Sequence, residues 1–329
     1  MTRLTLNAAL GVAIILVLIL SALLGSAELS VSEALAALLG GGGETAHIIV
    51  WEIRLPRALA ALGVGAALGA SGALMQGLLR NPLAEPGVLG VSASASLGAI
   101  IALYFGLTFL GAFTVPVLAV AGAVAATAVL SVLAAARISA VQLILVGVGL
   151  SSFAGALGAL AINLAPNRFA LSDMVTWMLG SVTNRSLDDL IFVAPFWIAG
   201  LGLAALTAPG LRALALGEDT AQTLGVTLGR TRAGVIGAAA LLTGGAVAIS
   251  GVIGFVGIVA PHVVRPFVRH DPADLVWPSA LLGGGLIALA DLMLRLVPFD
   301  QDLRLGVMVS LIGAPVFILI AARNRGMGR

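Results

Sequence analysis

RLPRALAALGVGAALGASGALMQGLLRNPLAEPGVLG, running from Arg54 to Gly90, decides how the rest of the chain reads. Ala58 to Leu79 is apolar and long enough, at about 1.5 Å per residue, to cross a hydrocarbon core as one helix. Within it Ala61, Gly65, Gly69, Ala73 and Gly77 recur every fourth residue, which lays a stripe of small side chains down one face. A second backbone can approach such a stripe closely, the way helices associate in lipid, where no hydrophobic drive separates them from the solvent. Both ends are polar. Arg54 and Arg57 precede the helix, and a proline-rich turn from Arg80 to Gly87 follows it.

The composition outside this stretch is of the same kind. Of 329 residues 60% are hydrophobic and only 10% charged, with a mean hydropathy of +1.13. A soluble domain carries roughly 25% charge, so this chain cannot clothe itself for water and reads as an all-α, polytopic membrane protein. Apolar segments of helical length, rather than short alternating strands, exclude an outer-membrane barrel. The 17 basic residues are all arginine. The pI of about 10.3 suggests nucleic acid, but a net charge of +2 supplies no basic face for it. Without cysteine there are no disulfides, thiolate metal sites or cysteine nucleophiles, and three scattered histidines offer no metal centre. Leu10 to Leu24 has the look of a signal peptide, but its apolar run exceeds a typical h-region, and it reads as a retained first crossing.

About ten crossings follow from the apolar segments, with 1–329 forming a single transmembrane domain. Between the first two lies an outer segment, Ser26 to Val50, in which Ser30 or Ser32 can cap a short helix over Glu33 to Leu39. Later crossings are expected at Val88–Phe105, Phe113–Ala136, Ser139–Asn163, Asp189–Leu206, Trp277–Val297 and Leu305–Ala322. Leu171 to Gly180 reads as a short interfacial helix capped by Ser172. Ala233 to Val268 is uncharged for too long to be one crossing and reads as a hairpin turning near Ser250 to Gly254. The polar stretch Thr207 to Arg232 is expected to hold two short helices, Leu211–Leu216 and one beginning at Glu218, separated by Gly217 and stopped by Gly225. Eleven arginines (3, 80, 137, 212, 230, 232, 265, 269, 323, 325, 329) then fall inside and six (54, 57, 168, 185, 295, 304) outside, which places both termini in the cytoplasm. Glu28 lies in the outer segment.

In order along the chain stand Arg54-Leu-Pro-Arg57, Ser71-Gly72 with Gln76, Asn81-Pro-Leu-Ala-Glu-Pro-Gly87 with Leu89-Gly90, Leu216-Gly217-Glu218 with Leu224-Gly225, Gly254 through His262 with Arg265, Ala290-Asp291, and Leu305-Gly306 to Pro315. Together they resemble the FecCD/BtuC family, the membrane permeases of type II binding-protein-dependent ABC importers for iron-siderophores, haem and cobalamin. The resemblance covers essentially the whole chain after the first helix. It implies a dimer of permeases (a homodimer expected, with a paralogous partner as the alternative), two cytoplasmic ABC ATPases that hold the ATP and Mg, an external substrate-binding protein, and a place in the bacterial cytoplasmic (inner) membrane. It implies no catalytic residue, no metal and no cofactor bound by this chain.

The resemblance also assigns roles. Arg54, Arg57 and Arg295 at the outer mouth are expected to meet acidic residues of the binding protein, arginine's planar fork suiting a carboxylate. For Arg295 a local pair with Asp291 is an equal alternative. Leu216, Gly217, Glu218, Asp219, Leu224 and Gly225 belong to cytoplasmic coupling helices at about 211–228 that engage the ATPase. Asn81 and Leu83, with Ala140 and Val141 at the base of the fifth crossing, are expected at the cytoplasmic gate. The family often has small polar residues at the last two positions, so this gate would be more apolar. Leu145, Gly149 and Ser152 continue that face as candidates for the pathway. His262 reads as structural rather than as a haem ligand, and Asp188-Asp189 as a helix start rather than a metal-phosphate site. No Walker motif exists, and without lysine none is possible. The reading from another class is a stand-alone secondary transporter, which needs polar groups at the midplane. Gln76, Gln142, Asn163 and Asp291 are its few candidates.

Overall fold

The helix quoted above is the central post of the molecule. The computed structural model describes residues 3–27, 29–136, 139–268, 271–297 and 303–323. Arg137, Arg269, Arg325 and Arg329, which enter the charge count, and Glu28 of the outer segment lie outside them. In chain order the α-helices are α1 (Arg3–Leu23), α2 (Val31–Leu38), α3 (Glu44–His47), α4 (Leu55–Leu79), α5 (Val91–Tyr104), α6 (Thr114–Ala135), α7 (Ala140–Asn163), α8 (Arg168–Met178), α9 (Leu187–Ala215), α10 (Glu218–Thr223), α11 (Leu228–Ser250), α12 (Val256–Val264), α13 (Val276–Leu296) and α14 (Leu305–Arg323). Among the described residues there is no strand. Seven helical stretches are long and apolar enough to cross a membrane, and three shorter apolar helices, α5, α12 with its 3-10 extension, and α14, accompany them.

The stripe on α4 does what small residues allow. A methyl group on Gly65 would lie 2.2 Å from the Gly283 carbonyl oxygen of α13, and one on Gly69 2.2 Å from that of Ser279. One turn on, a methyl group on Gly72 would lie 2.0 Å from the Gly257 carbonyl oxygen of α12. Backbone therefore packs on backbone along α4, the geometry that small-residue stripes permit in lipid. Polar groups inside this contact are matched: Thr243 of α11 donates to Ser71 (2.9 Å), which donates to the Leu68 carbonyl (3.2 Å). Gln76 donates to the Gly257 carbonyl (3.2 Å) and accepts from Arg265.

Several sequence expectations hold. Ser30 caps α2 in a capping box with Glu33. Asp189 closes a capping box with Ser186 at the start of α9, so the acidic pair marks a helix start. The α11–α12 segment is a hairpin: Thr243 before the break and Gly257 after it both lie beside Ser71-Gly72 of α4.

Others are corrected. The outer segment before α4 is largely helical, because α3 runs through a π-helical turn (Ile48–Arg54) straight into α4. The interfacial helix starts at Arg168, not Leu171, because Asn167 rather than Ser172 accepts the Ala170 amide (2.9 Å). Leu211–Leu216 is not a separate helix. α9 continues through Pro209 to Ala215 although proline there omits one backbone bond, and the Thr207 hydroxyl donates back to the Leu203 and Ala204 carbonyls (2.9 and 3.2 Å), as threonine commonly does within a helix.

Candidate functional site: a polar cluster at each end of the central helix

About 35 Å of helix separates Arg57 from Arg80 on α4, at 1.5 Å per residue, and each end of that span carries a charged cluster. At the first end Asp291 of α13 is buried and accepts two bonds from Arg57 Nε (2.9 and 3.1 Å) and one from its Nη2 (2.7 Å). Arg295, one turn along, places its Nε 3.2 Å from the same carboxylate. This realises the local pair expected as the alternative for Arg295. Arg295 Nη1 also donates to the Ser21 carbonyl (3.1 Å). Arg54 donates to the Ala22, Leu23 and Ala27 carbonyls (3.2, 2.7 and 3.2 Å). Both arginines thus occupy the C-terminal end of α1, where carbonyls lack intrahelical partners and the dipole favours positive charge. Gly25 makes room for this, since a methyl group there would lie 2.9 Å from Arg54 Nε.

Of the three arginines assigned to docking, Arg54 is therefore buried and the Arg295 side chain only 5% exposed, both turned inward, while Arg57 keeps 19% of its side chain exposed. A cavity of about 510 Å³ opens beside them, lined by Arg57, Arg295, Arg304, Ser181 and Thr183 among others. Arg185 pairs with Asp189 near this end (3.7 Å).

At the other end α4 stops at Arg80, whose backbone is left-handed (φ +48°), and the turn beyond does not stay at the surface. Asn81 is exposed and its Oδ1 accepts the Leu83 amide (3.0 Å). From there the chain climbs back into the bundle: Ala84, Pro86 and Leu89 are buried, Pro86 lies against Gly257 and Leu89 against Gly147 of α7. Ser151 donates to the Gly87 carbonyl (3.0 Å). The climb explains why α5 has only 14 residues. The half-buried Glu85 accepts the Phe255 amide at the start of α12 (3.1 Å). Burial raises its carboxyl above the ordinary range, against the opposing effect of that hydrogen bond.

The structure thus joins the turn after α4, expected at the gate, to α7 through Gly147 and Ser151, which sequence reasoning missed. Their four-residue spacing on α7 was the available signal. Val141, Leu145, Gly149 and Ser152 are all exposed, on the face opposite the buried Leu143 and Ala154. α7 therefore presents the assigned gate and pathway residues as one open face. The Ala140 side chain is outside what the structure describes.

Next to Arg80 lies the segment assigned to coupling. α10 follows Gly217 (φ +111°) and ends before Gly225 (φ +81°), and Leu216 and Leu224 flank it at 66% and 63% exposure. Glu218 and Asp219 occupy its first turn, where carboxylates suit the helix dipole. Arg212 on α9 grips Asp271 (2.9 Å) and Asp274 (2.7 Å) in the loop before α13. Burial would raise the Asp271 carboxyl, but bonds from the Asp274 amide, Arg212 and the Ala273 amide together hold it below the usual range.

The remaining polar candidates serve the bundle. Gln142 closes a capping box with Ser139 at the start of α7, and Gln76 and Asp291 are bonded as described. His262 lies on α12 with Nδ1 unbonded, and among the described residues no group of three His, Asp or Glu could hold a metal ion.

Comparison with known proteins now decides the family. The model of the FecCD transport family matches residues 13–323. The chain belongs to the FecCD transport family. It is 45% identical over 286 residues to an uncharacterized ABC transporter permease protein, YvrB, of Bacillus subtilis, covering 85% of this chain and 80% of that one. It is 37% identical to the vitamin B12 import system permease BtuC of Yersinia enterocolitica, with 86% and 84% covered. It is 32% identical to the Fe(3+)-citrate import system permease YfmD of Bacillus subtilis, with 92% and 90% covered. A solved structure described as a metal-chelate type ABC transporter in an inward-facing conformation superposes with a TM-score of 0.84 at 30% identity, over 98% of this chain and 99% of that one. This FecCD chain is a permease subunit rather than a catalytic enzyme, and a multi-pass protein of the bacterial inner membrane.

Proposed function

We propose that this FecCD chain imports a bulky metal chelate by alternating access, a ferric siderophore first, with haem and then cobalamin behind it. ATP hydrolysis in separate subunits drives the cycle. The observation that carries this reading is the placement of the two clusters. A short helix flanked by two exposed leucines projects beside Arg80, while the arginine cluster at Arg57 and Asp291 occupies the far end of the same buried post. One end suits a cytoplasmic ATPase and the other an external binding protein. The relatives named for iron-citrate and vitamin B12 import support a metal chelate as the class of cargo.

In this reading the ten apolar helices, seven long and three short, are ten crossings with both termini cytoplasmic. Two copies form a homodimer around the open face of α7, with Val141 and Leu83 at the gate and Leu145, Gly149 and Ser152 along the pathway. Arg57 is the docking residue the binding protein meets, and Arg54 and Arg295 form a second row that fixes it to α1. Leu216 and Leu224 seat in each ATPase. The test is ATPase activity of the complex purified with the ATPase and binding protein encoded beside it. Liganded binding protein is expected to stimulate hydrolysis, and a complex indifferent to it contradicts the reading.

A further inference from the structure

Glu218 does not face outward from the coupling segment. Its Oε1 lies 2.6 Å from Nη2 of Arg232 on α11 and 3.9 Å from Nη2 of Arg80 at the end of α4. Arg232 is buried, while Arg80 is half exposed. α10 is six residues long, between two glycines whose positive φ frees it from the helices on either side. What fixes it to the bundle is the buried Ala221 and this carboxylate at its first residue. Arg80 in turn is the residue before Asn81, so it joins α10 to the turn that climbs between α4, α7 and α12. Nearby, Leu211 toward the end of α9 packs on Gly77 of α4, which ties the helix before α10 to the helix before that turn.

We propose that Glu218 is a positioning residue: through Arg232 it anchors α10, and through Arg80 it passes the movement of α10 to the gate turn. This rests on the importer reading and adds an intrachain route to it. The two contacts differ in kind. The pair with buried Arg232 holds the helix in place, and removing Glu218 strands the buried guanidinium. The pair with Arg80 is solvent-washed and weak in itself, so it can form and part within a transport cycle.

The chain has no cysteine, so Leu83→Cys creates a single thiol at the gate turn. Its rate of modification by a maleimide is measured in the full complex with the ATPases, nucleotide-free and trapped with ADP and vanadate. With Arg80 intact the rate is expected to change about fivefold or more between the two states, and with Arg80→Gln by less than about twofold, the scale set by losing one such pair. Arg80→Lys keeps the charge and restores the response, which a merely structural role would not. Leu224→Cys reports separately on α10 and stays shielded by the ATPase in every variant. A full response at Leu83→Cys in the Arg80→Gln chain overturns the proposal. With Arg80 intact, a Leu224→Cys thiol left unshielded in the complex contradicts the importer reading itself, whereas a shielded one with no nucleotide response at Leu83→Cys overturns the proposal alone.

Discussion

Replacing Asp291 by asparagine tests the cluster that ties α1, α4 and α13 together. Asp291 is 1% exposed and holds Arg57 by three hydrogen bonds of 2.7–3.1 Å and Arg295 by an ionic contact at 3.2 Å. Breaking a buried ion pair by removing one partner costs about 3–5 kcal/mol, because the other charge is left behind. Here the two arginines differ. Arg57 can hydrate through its exposed edge, whereas Arg295 is 5% exposed and keeps only its carbonyl contacts. The expected loss for Asp291→Asn is therefore near the lower bound, about 3 kcal/mol. Arg57→Gln strands the carboxylate instead, beside Arg295 alone, and should cost about as much or more. The double variant removes the pair together and should cost less than the sum, with a coupling of about 2 kcal/mol. Unfolding in detergent, followed by the fluorescence of the four tryptophans, measures all three. Additive losses each below about 0.5 kcal/mol would refute the reasoning.

Three further outcomes are expected. Gly72→Ala forces a methyl group to 2.0 Å from the Gly257 carbonyl oxygen and should cost upwards of about 1–3 kcal/mol. Gly149→Ala meets nothing within 4 Å and should leave the folded yield unchanged; equal loss in both would undo the packing account. Because burial raises the Glu85 carboxyl, the native chain binds its proton more tightly than the unfolded chain does. Stability from this group therefore falls as pH rises from the ordinary carboxylate range through the raised value. Glu85→Gln should flatten that part of the stability–pH curve, and an unchanged slope would count against it. Leu216→Glu with Leu224→Glu should abolish co-purification of the ATPase without lowering the yield of permease, and retained ATPase would remove α10 from the coupling role.

How much of this was legible in the sequence varies with the kind of interaction. The four-residue spacing from Ala61 to Gly77 marked α4 as a tightly packed helix, because packing between small residues repeats with the helix itself. It could not show that Gly65 and Gly69 meet α13 while Gly72 meets α12, since partners across the bundle leave no mark in local spacing. Capping boxes at Ser30 and Asp189 concern residues three apart, and the reading offered Ser30 or Ser32 as the cap of the first and marked the second as a helix start. The run of α9 through Pro209 was missed because proline and a polar stretch locally argue for a break, whereas the buried Leu211, Ala213 and Leu214 hold the helix to the bundle beyond it. Arg54 was read as a docking charge at the outer mouth, and Arg295 as either another or a local partner of Asp291. That they satisfy the carbonyls at the end of α1 depends on which helix ends the fold brings together, information the sequence holds only globally. The open face of α7 was legible as a set of residues, whereas the climb of Asn81 to Leu89 onto Gly147 and Ser151 was not.

The most direct test of the account is uptake into proteoliposomes that hold the permease with its ATPases, supplied with the binding protein and its metal chelate. The account predicts accumulation of the chelate only with ATP on the ATPase side and binding protein on the opposite side. Uptake that persists without the ATPase and ATP would contradict it.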